Sequence, residues 1–271
     1  MDEKNRIILF PEYEKLRAEV EEIRGKISVH LLERDELAFV ACKNIETAYM
    51  LTLGGLEYKA FELHCKVLRL KRKIELIQAK KNRQEKIVLS MIEAILDGEF
   101  ATFQQKLDAQ IDKLNQAIAY SKGEPLTDEE TKELKQLYHK IVKALHPDLH
   151  PYLTETQKEL FHHAVQAYEM ADLERLRVIG DMLAEPVIPE PNEDSLSLLR
   201  KEKERLTKSL EKIQLQIETI KSSYPYTMKD LMEDPEQIAV KKKELEELIE
   251  ALKDAYARYT TRLKELMEED V

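Results

Sequence analysis

The sequence has no tryptophan and few residues that end helices: only six of its 271 residues are glycine and nine are proline. Average usage is about 7% glycine and 5% proline, so turns must be scarce. No proline lies between Pro11 and Pro125, and a proline inside a helix would cost about 3 kcal/mol or more. Because 35% of the residues are charged and 43% hydrophobic, this composition predicts an all-α protein with long, solvated helices.

Long apolar runs and cysteine clusters are also missing. The longest stretch without Asp, Glu, Lys or Arg covers the ten residues 47–56, whereas about 20 apolar residues are needed to cross a bilayer. Charged residues directly precede the first apolar patch, Ile7 to Phe10, so no secretory signal peptide is recognised. Two cysteines cannot form a disulfide framework or a four-ligand zinc site. We therefore expect a cytoplasmic protein without a membrane partner.

The charge balance is acidic overall but is reversed locally. A net charge of -10 argues against a nucleic-acid partner, since such proteins depend on an excess of Lys and Arg. The stretch from Lys66 to Lys86 nevertheless carries nine basic residues against Glu75 and Glu85. It could be a second partner site for an acidic protein or RNA, or an exposed helix face balanced by acids on a neighbouring helix. We favour the balanced face.

Glycine and proline divide the chain into three segments. Gly123 with Pro125, and a proline-rich linker over 185–193, separate residues 1–122, 124–184 and 194–271. In the first segment, apolar residues alternate steps of three and four, which is the spacing of a coiled-coil seam. Gly54-Gly55 lies between two such seams and predicts an antiparallel hairpin, followed by a returning helix from about Glu99 to Ser121. The seams are Leu9, Tyr13, Leu16, Val20, Ile23 and Ile27, then Leu56, Ala60, Leu63, Val67, Leu70, Ile74 and Ile77.

The last segment shows the same pattern and predicts an antiparallel coiled-coil hairpin. Asp234 followed by Pro235 predicts the start of its second helix. The connection over 222–233 is apolar and could be a packed tip, which we favour, or a contact surface for a partner. Hairpins of this kind could also pair between two copies as a homodimer. The seams are Leu199, Leu206, Leu210, Ile213, Ile217 and Ile220, then Leu245, Ile249, Leu252, Tyr256, Tyr259, Leu263 and Leu266.

The middle segment carries the chemical signals. Thr127-x-x-Glu130 is a capping box that predicts the start of a helix, which must end before Pro147. A second capping box, Thr154-x-x-Gln157, opens a helix that we expect to continue through Leu176. The first helix has an apolar stripe and a separate basic face, so that one side packs and the other presents positive charge. The stripe is Leu134, Tyr138, Ile141 and Leu145, and the basic face is Lys132, Lys135, His139 and Lys143.

The turn His146-Pro147-Asp148 between these helices resembles the signature of the J-domain in Hsp40 (DnaJ-type) co-chaperones. Tyr138-His139-Lys140-Ile141 is similar to the Tyr-Arg-Lys-Leu that precedes the tripeptide in that family, at the same offset from Tyr138 to His146. Phe161 and the following Ala-Tyr-Glu resemble the family's third helix. The predicted packed core of the J-like pair is Tyr138, Ile141, Leu145, Phe161, Val165 and Tyr168.

This resemblance implies a J-domain co-chaperone that docks on an Hsp70 (DnaK-type) chaperone and stimulates its ATP hydrolysis. The tripeptide would act as the trigger, and the basic face would steer docking on an acidic patch. The helical arms would then bind a client protein or a complex. The implied docking residues are His146, Pro147 and Asp148 with His139 and Lys140, to which helix geometry adds Lys132, Lys135 and Lys143.

The segment departs from the family in identifiable ways. The family's first helix is not recognisable before Thr127, and the helix that ends near Ser121 could occupy its packing position. Leu149 stands where a basic residue commonly follows the aspartate. Neither a Gly/Phe-rich stretch nor a repeated Cys-x-x-Cys module is present.

Other function classes have less support. The sequence contains no P-loop, no Gly-x-Ser-x-Gly and no His-Glu-x-x-His, so we expect neither an enzyme nor a cofactor. Five of the seven histidines fall between His139 and His163, but Pro147 breaks their helical spacing and no metal site is expected. The alternative function is a coiled-coil scaffold or assembly protein with a degenerate J-like domain, because about three quarters of the chain lies outside it.

Overall fold

A computed structural model describes residues 11–123, 125–183 and 195–268. These residues form helices and no strand, so the predicted all-α class is confirmed. No helix in this part of the chain is both long enough and apolar enough to cross a membrane. The helices are α1 (Pro11–Asp35), α2 (Cys42–Tyr49), α3 (Gly55–Asn82), α4 (Leu89–Ser121), α5 (Asp128–Leu145), α6 (Glu155–Glu169), α7 (Leu173–Asp181), α8 (Ser195–Lys221), α9 (Lys229–Glu233) and α10 (Pro235–Glu268).

The chain does not reverse at Gly54-Gly55, and the predicted N-terminal hairpin is wrong. Two π-helical segments, Glu36–Ala41 and Met50–Gly54, join α1, α2 and α3 into one uninterrupted helical run. Gly54 has φ -55° and ψ -38°, which are ordinary helical values. A Cβ at Gly54 would lie 3.1 Å from the sulfur of Met50 and 3.7 Å from Leu114 on α4. Gly54 therefore lies within a helix, where the absence of a side chain permits close packing, and it does not form a turn.

The described helices belong to two compact units, and neither is a single stretch of sequence. The first unit contains Met1–Lys43 and Glu124–Thr227, and the second contains Asn44–Gly123 and Met228–Val271. The predicted segments 1–122 and 194–271 are therefore each divided between units. The predicted proline-rich linker over 185–193 lies outside the described residues.

In the first unit, α8 packs along α1 beside the group formed by α5, α6 and α7. The α1 seam residues Val20 and Ile27 share a buried core with Leu206 and Ile213 of α8. Members of the predicted α1 and α8 seams thus lie in one core, whereas Leu9 of the first seam lies outside the described residues. However, the prediction that α8 pairs with the last helix as a hairpin is wrong, because its seam is filled by α1.

The second unit contains α3, α4 and α10, and here α3 packs against both of the others. Helix α10 begins at Pro235, and the Asp234 carboxylate accepts bonds from two backbone N–H groups, which confirms that predicted start. Met228, Leu231 and Met232 of the apolar connection pack against a buried core around Leu53 and Leu245. Helix α4 starts at Leu89, earlier than predicted.

Acidic side chains on α4 pair with three of the nine basic residues of the run 66–86. Arg69 and Lys73 both bind the carboxylate of Glu93, at 2.7 and 2.5 Å, and Arg72 binds Glu99 at 2.9 Å. These ion pairs support the interpretation of the run as a balanced helix face.

Candidate docking site

Two capping boxes fix where the helices around the candidate site begin. The Thr127 hydroxyl accepts a bond from the Glu130 N–H, and the Glu130 carboxylate accepts one from the Thr127 N–H. Thr154 and Gln157 form the same arrangement at the start of α6. Helix α5 ends at Leu145, where Pro147 prevents its continuation. These local predictions are confirmed.

Helix α6 is shorter than expected. It ends at Glu169, and the predicted continuation through Leu176 is wrong. Ala171 adopts a left-handed φ of 54°, and the N–H groups of Ala171 and Asp172 donate to carbonyls of the last turn. This is a Schellman-type helix end. Asp172 then caps α7 by accepting a bond from the Arg175 N–H.

His146 faces inward from the turn between α5 and α6. Its side chain is buried, and its ring packs edge-on against Phe161 with 5.0 Å between ring centroids. Its Nδ1 accepts a hydrogen bond of 3.0 Å from the Asp148 N–H. Since Nδ1 accepts, the ring proton lies on Nε2. His146 therefore shapes the turn from inside.

Burial keeps this imidazole neutral. The pKa of His146 is lowered to about 4, mainly by loss of solvation, with Asp148 opposing the shift and the neighbouring Arg34 and His150 adding to it. A neutral ring is required by the geometry, because a protonated imidazole would present a donor to the Asp148 N–H.

The residues after the tripeptide close the turn. The N–H groups of Leu149 and His150 both donate to the His146 carbonyl at 3.0 Å. The Nε2–H of His150 donates to the Lys143 carbonyl at 2.8 Å, which satisfies an acceptor at the end of α5. Leu149, which departs from the J-domain signature, is buried in the core. Its side chain therefore contributes to packing.

The exposed side of the turn and of α5 holds the other predicted docking residues. Pro147 is exposed and Asp148 is half-buried. His139, Lys140, Lys132 and Lys143 are exposed on α5, and no ion pair of these three lysines is found among the described residues. Lys135 is also exposed, but its Nζ binds the Glu36 carboxylate at 2.7 Å. The exposed α5 face thus offers three unpaired lysines.

The predicted core residues of the J-like pair are brought together. Tyr138, Ile141, Leu145 and Tyr168 are buried, and Phe161 and Val165 are half-buried against them. Tyr138 and Tyr168 stack with their ring centroids 4.0 Å apart and their planes at 7°. Tyr138 lies far from the turn and pairs with Tyr168, whereas His146 in the turn pairs with Phe161. Helices α5 and α6 are therefore antiparallel.

Asp35 and Glu36, which were missing from the predicted site, anchor the two stacked tyrosines. The Tyr138 hydroxyl donates to the buried Asp35 carboxylate at 2.7 Å, and the Tyr168 hydroxyl donates to Glu36 at 3.0 Å. Burial, reinforced by these carboxylates, raises the pKa of both tyrosines. The sequence does contain a signal for the role of Asp35. This residue continues the four-residue spacing of Ile27 and Leu31, so a carboxylate occupies a position of an apolar seam.

Helix α1 and the following π-helical segment cover the J-like pair on this side. Ile27 and Leu31 of α1 share the buried core with Ile141 of α5, and Phe39 of the π-helical segment packs against that core. The suggestion that the helix ending near Ser121 occupies this position is wrong, since α4 belongs to the second unit.

Two of the clustered histidines are engaged by neighbouring side chains. The Gln166 amide N–H donates to Nε2 of His162 at 3.0 Å, and the Arg175 guanidinium donates to Nδ1 of His163 at 2.8 Å. Within residues 11–123, 125–183 and 195–268, no group of three or more His, Cys, Asp or Glu side chains is arranged to hold a metal ion.

Comparisons with known proteins find no relative of this chain. No protein-family model matches it, no curated protein matches its sequence, and no solved structure matches its fold. The similarity to the J-domain therefore rests on the residues of the α5–α6 pair themselves.

Proposed function

We propose that this protein is a J-domain co-chaperone that docks on a DnaK-type Hsp70 and stimulates its ATP hydrolysis. In this proposal the docking surface is the His146-Pro147-Asp148 turn with the exposed face of α5. The remaining helices would bind a client protein or a complex.

The observation that carries the proposal is the arrangement of this turn. Pro147 is exposed just beyond a helix whose outer face holds three lysines that form no ion pair among the described residues. His146 holds the turn from inside, and the stacked tyrosines hold the far ends of α5 and α6 together. The same residues supply the J-domain resemblance, so sequence and geometry point to one surface.

Charge explains how a partner would find this surface. The chain as a whole carries a net charge of -10, so an acidic partner is repelled over much of it. Lys132, Lys140 and Lys143 interrupt that negative field beside the turn. Such a patch raises the association rate more than the final affinity. The turn itself would then determine whether hydrolysis is triggered.

Steady-state ATPase assays with a purified DnaK-type Hsp70 from the same cell would test the proposal. We expect the wild-type protein to stimulate hydrolysis, and His146→Gln and Asp148→Asn to lose most of that stimulation. His64→Gln is a matched control, since His64 is exposed on α3 in the second unit. Asp112→Asn on α4 is the matching aspartate control.

Equal hydrolysis rates with and without the wild-type protein would refute the proposal. In that case the scaffold alternative would gain, and charges introduced at Leu210 and Leu252 should abolish the cellular phenotype while Asp148→Asn leaves it unchanged.

A further inference from the structure

Helix α8 binds the His-Pro-Asp turn through one guanidinium group. Arg205 Nη1 donates to the Asp148 carbonyl at 2.9 Å. Its Nε and Nη2 donate to the two carboxylate oxygens of Glu202, at 2.8 and 2.9 Å. Because the guanidinium is planar and its donors form a rigid fork, this pair with Glu202 directs the remaining Nη1 donor toward the turn.

Glu202 is in turn held by α1. Arg24 Nη2 donates to its Oε1 at 3.2 Å. The Glu202 side chain is 22% exposed, so this chain of charges is partly shielded from water. Hydrogen bonds from Arg205 and then Arg24 lower the pKa of Glu202 against the opposing effect of burial, so the carboxylate stays charged. Helices α1 and α8 and the turn are thus joined by one polar network.

Arg205 gives the turn a support that the J-like pair does not supply. Three bonds inside the turn converge on His146, whose ring and carbonyl accept from the backbone N–H groups of the next residues. Arg205 hydrogen-bonds to this turn from α8, outside residues 125–183. The Asp148 peptide plane is therefore fixed from α8.

We propose that Arg205, oriented by Glu202 and Arg24, is a positioning residue for the Hsp70-docking turn. Helices α1 and α8 then belong to the docking module together with the α5–α6 pair. This inference rests on the proposed docking function. The physical reason is that a turn held in one conformation loses less conformational freedom when a partner binds it.

Amide hydrogen exchange in the full-length protein gives the first test. Arg205→Gln should make the amides of residues 148–150 exchange about ten-fold faster, since a bond to a charged donor is lost. Arg200→Gln is the matched control, because Arg200 also lies on α8 and pairs with Glu12 of α1, away from the turn. The control removes the same charge and should leave exchange at the turn as in the wild type.

Titration of Hsp70 ATPase stimulation gives the second test. Arg205→Gln should raise the concentration for half-maximal stimulation about ten-fold and leave the maximal rate unchanged, because the turn is intact but less ordered. Arg205→Lys should fall between wild type and Arg205→Gln. Its ammonium keeps the charge and can donate to a carbonyl, but it cannot bind both Glu202 oxygens in a fork.

The outcomes separate this inference from the function on which it rests. Equal exchange at residues 148–150 in Arg205→Gln and Arg200→Gln would overturn the positioning role. Faster exchange with an unchanged half-maximal concentration would overturn its importance for docking. No stimulation by the wild-type protein would instead refute the docking function, and the docking part of this inference with it.

Discussion

Acidification should open the turn between α5 and α6, because His146 is neutral and buried in the folded protein. Only 6% of the residue is exposed, and its Nδ1 accepts the Asp148 N–H. A proton on Nδ1 would replace this bond by two opposed donors and would place a charge in an apolar site. The unfolded chain carries no such restriction and can bind the proton freely.

The magnitude follows from the shift in pKa. Burial lowers the pKa of His146 from 6.5 to about 4. The unfolded protein therefore takes up the proton as the pH falls below about 6.5, whereas the folded protein takes it up only near pH 4. The contribution to the free energy of unfolding is complete above pH 6.5 and is lost as the pH falls toward 4. By linkage this loss is about 3 kcal/mol between pH 7 and pH 4, of which about 2 kcal/mol is lost by pH 5.

Urea unfolding of the wild type and of His146→Gln at pH 7, 6, 5 and 4 would measure this contribution. Protonation of carboxylates such as Glu202 also lowers the free energy of unfolding in acid. This effect is common to both proteins and cancels in the difference between them. The stability advantage of the wild type should shrink by about 3 kcal/mol from pH 7 to pH 4. An advantage that does not change with pH, or an NMR titration of the His146 ring with its midpoint near 6.5, would refute the reasoning.

Two further pairs of substitutions test the packing around the site by urea unfolding. Tyr138→Phe removes a donor from the buried Asp35 carboxylate and should lower the free energy of unfolding by about 2 kcal/mol, whereas Tyr168→Phe, whose carboxylate partner is more exposed, should lose about 1 kcal/mol. Equal losses would contradict this ranking. Leu206→Ala empties a fully buried position between α8 and α1 and should cost about 3 kcal/mol, against less than about 0.5 kcal/mol for the exposed Leu215→Ala on the same helix. Similar costs for both leucines would show that α8 does not depend on its α1 contact.

Features that depend on residues within four positions of one another could be predicted from the sequence. The capping boxes at Thr127 and Thr154 and the start of α10 at Pro235 are of this kind. The division of α5 into a packed face and a basic face follows equally from its 3.6-residue period. In each case the interacting groups are joined by a few bonds, so no other part of the chain is needed to bring them together.

The partners of the long helices could not be predicted in the same way. A heptad seam shows that a helix packs, but any other seam of similar shape can fill it. Gly54-Gly55 permits a turn and equally permits close helix packing, and the contact with Leu114 favours packing. Helix α8 consequently pairs with α1, and α10 with α3, instead of with each other.

The sequence by itself determined the all-α class, the bounds of α5, and the His-Pro-Asp turn on which the proposed function depends. Only the tertiary structure decided what supports that turn. Asp35 reaches Tyr138 across 103 positions of sequence, and Arg205 reaches Asp148 across 57. The sequence around Asp35 and Arg205 does not indicate which residue each will bind. A buried ion or a hydrogen-bonded arginine is stable only where packing has placed a complementary group beside it.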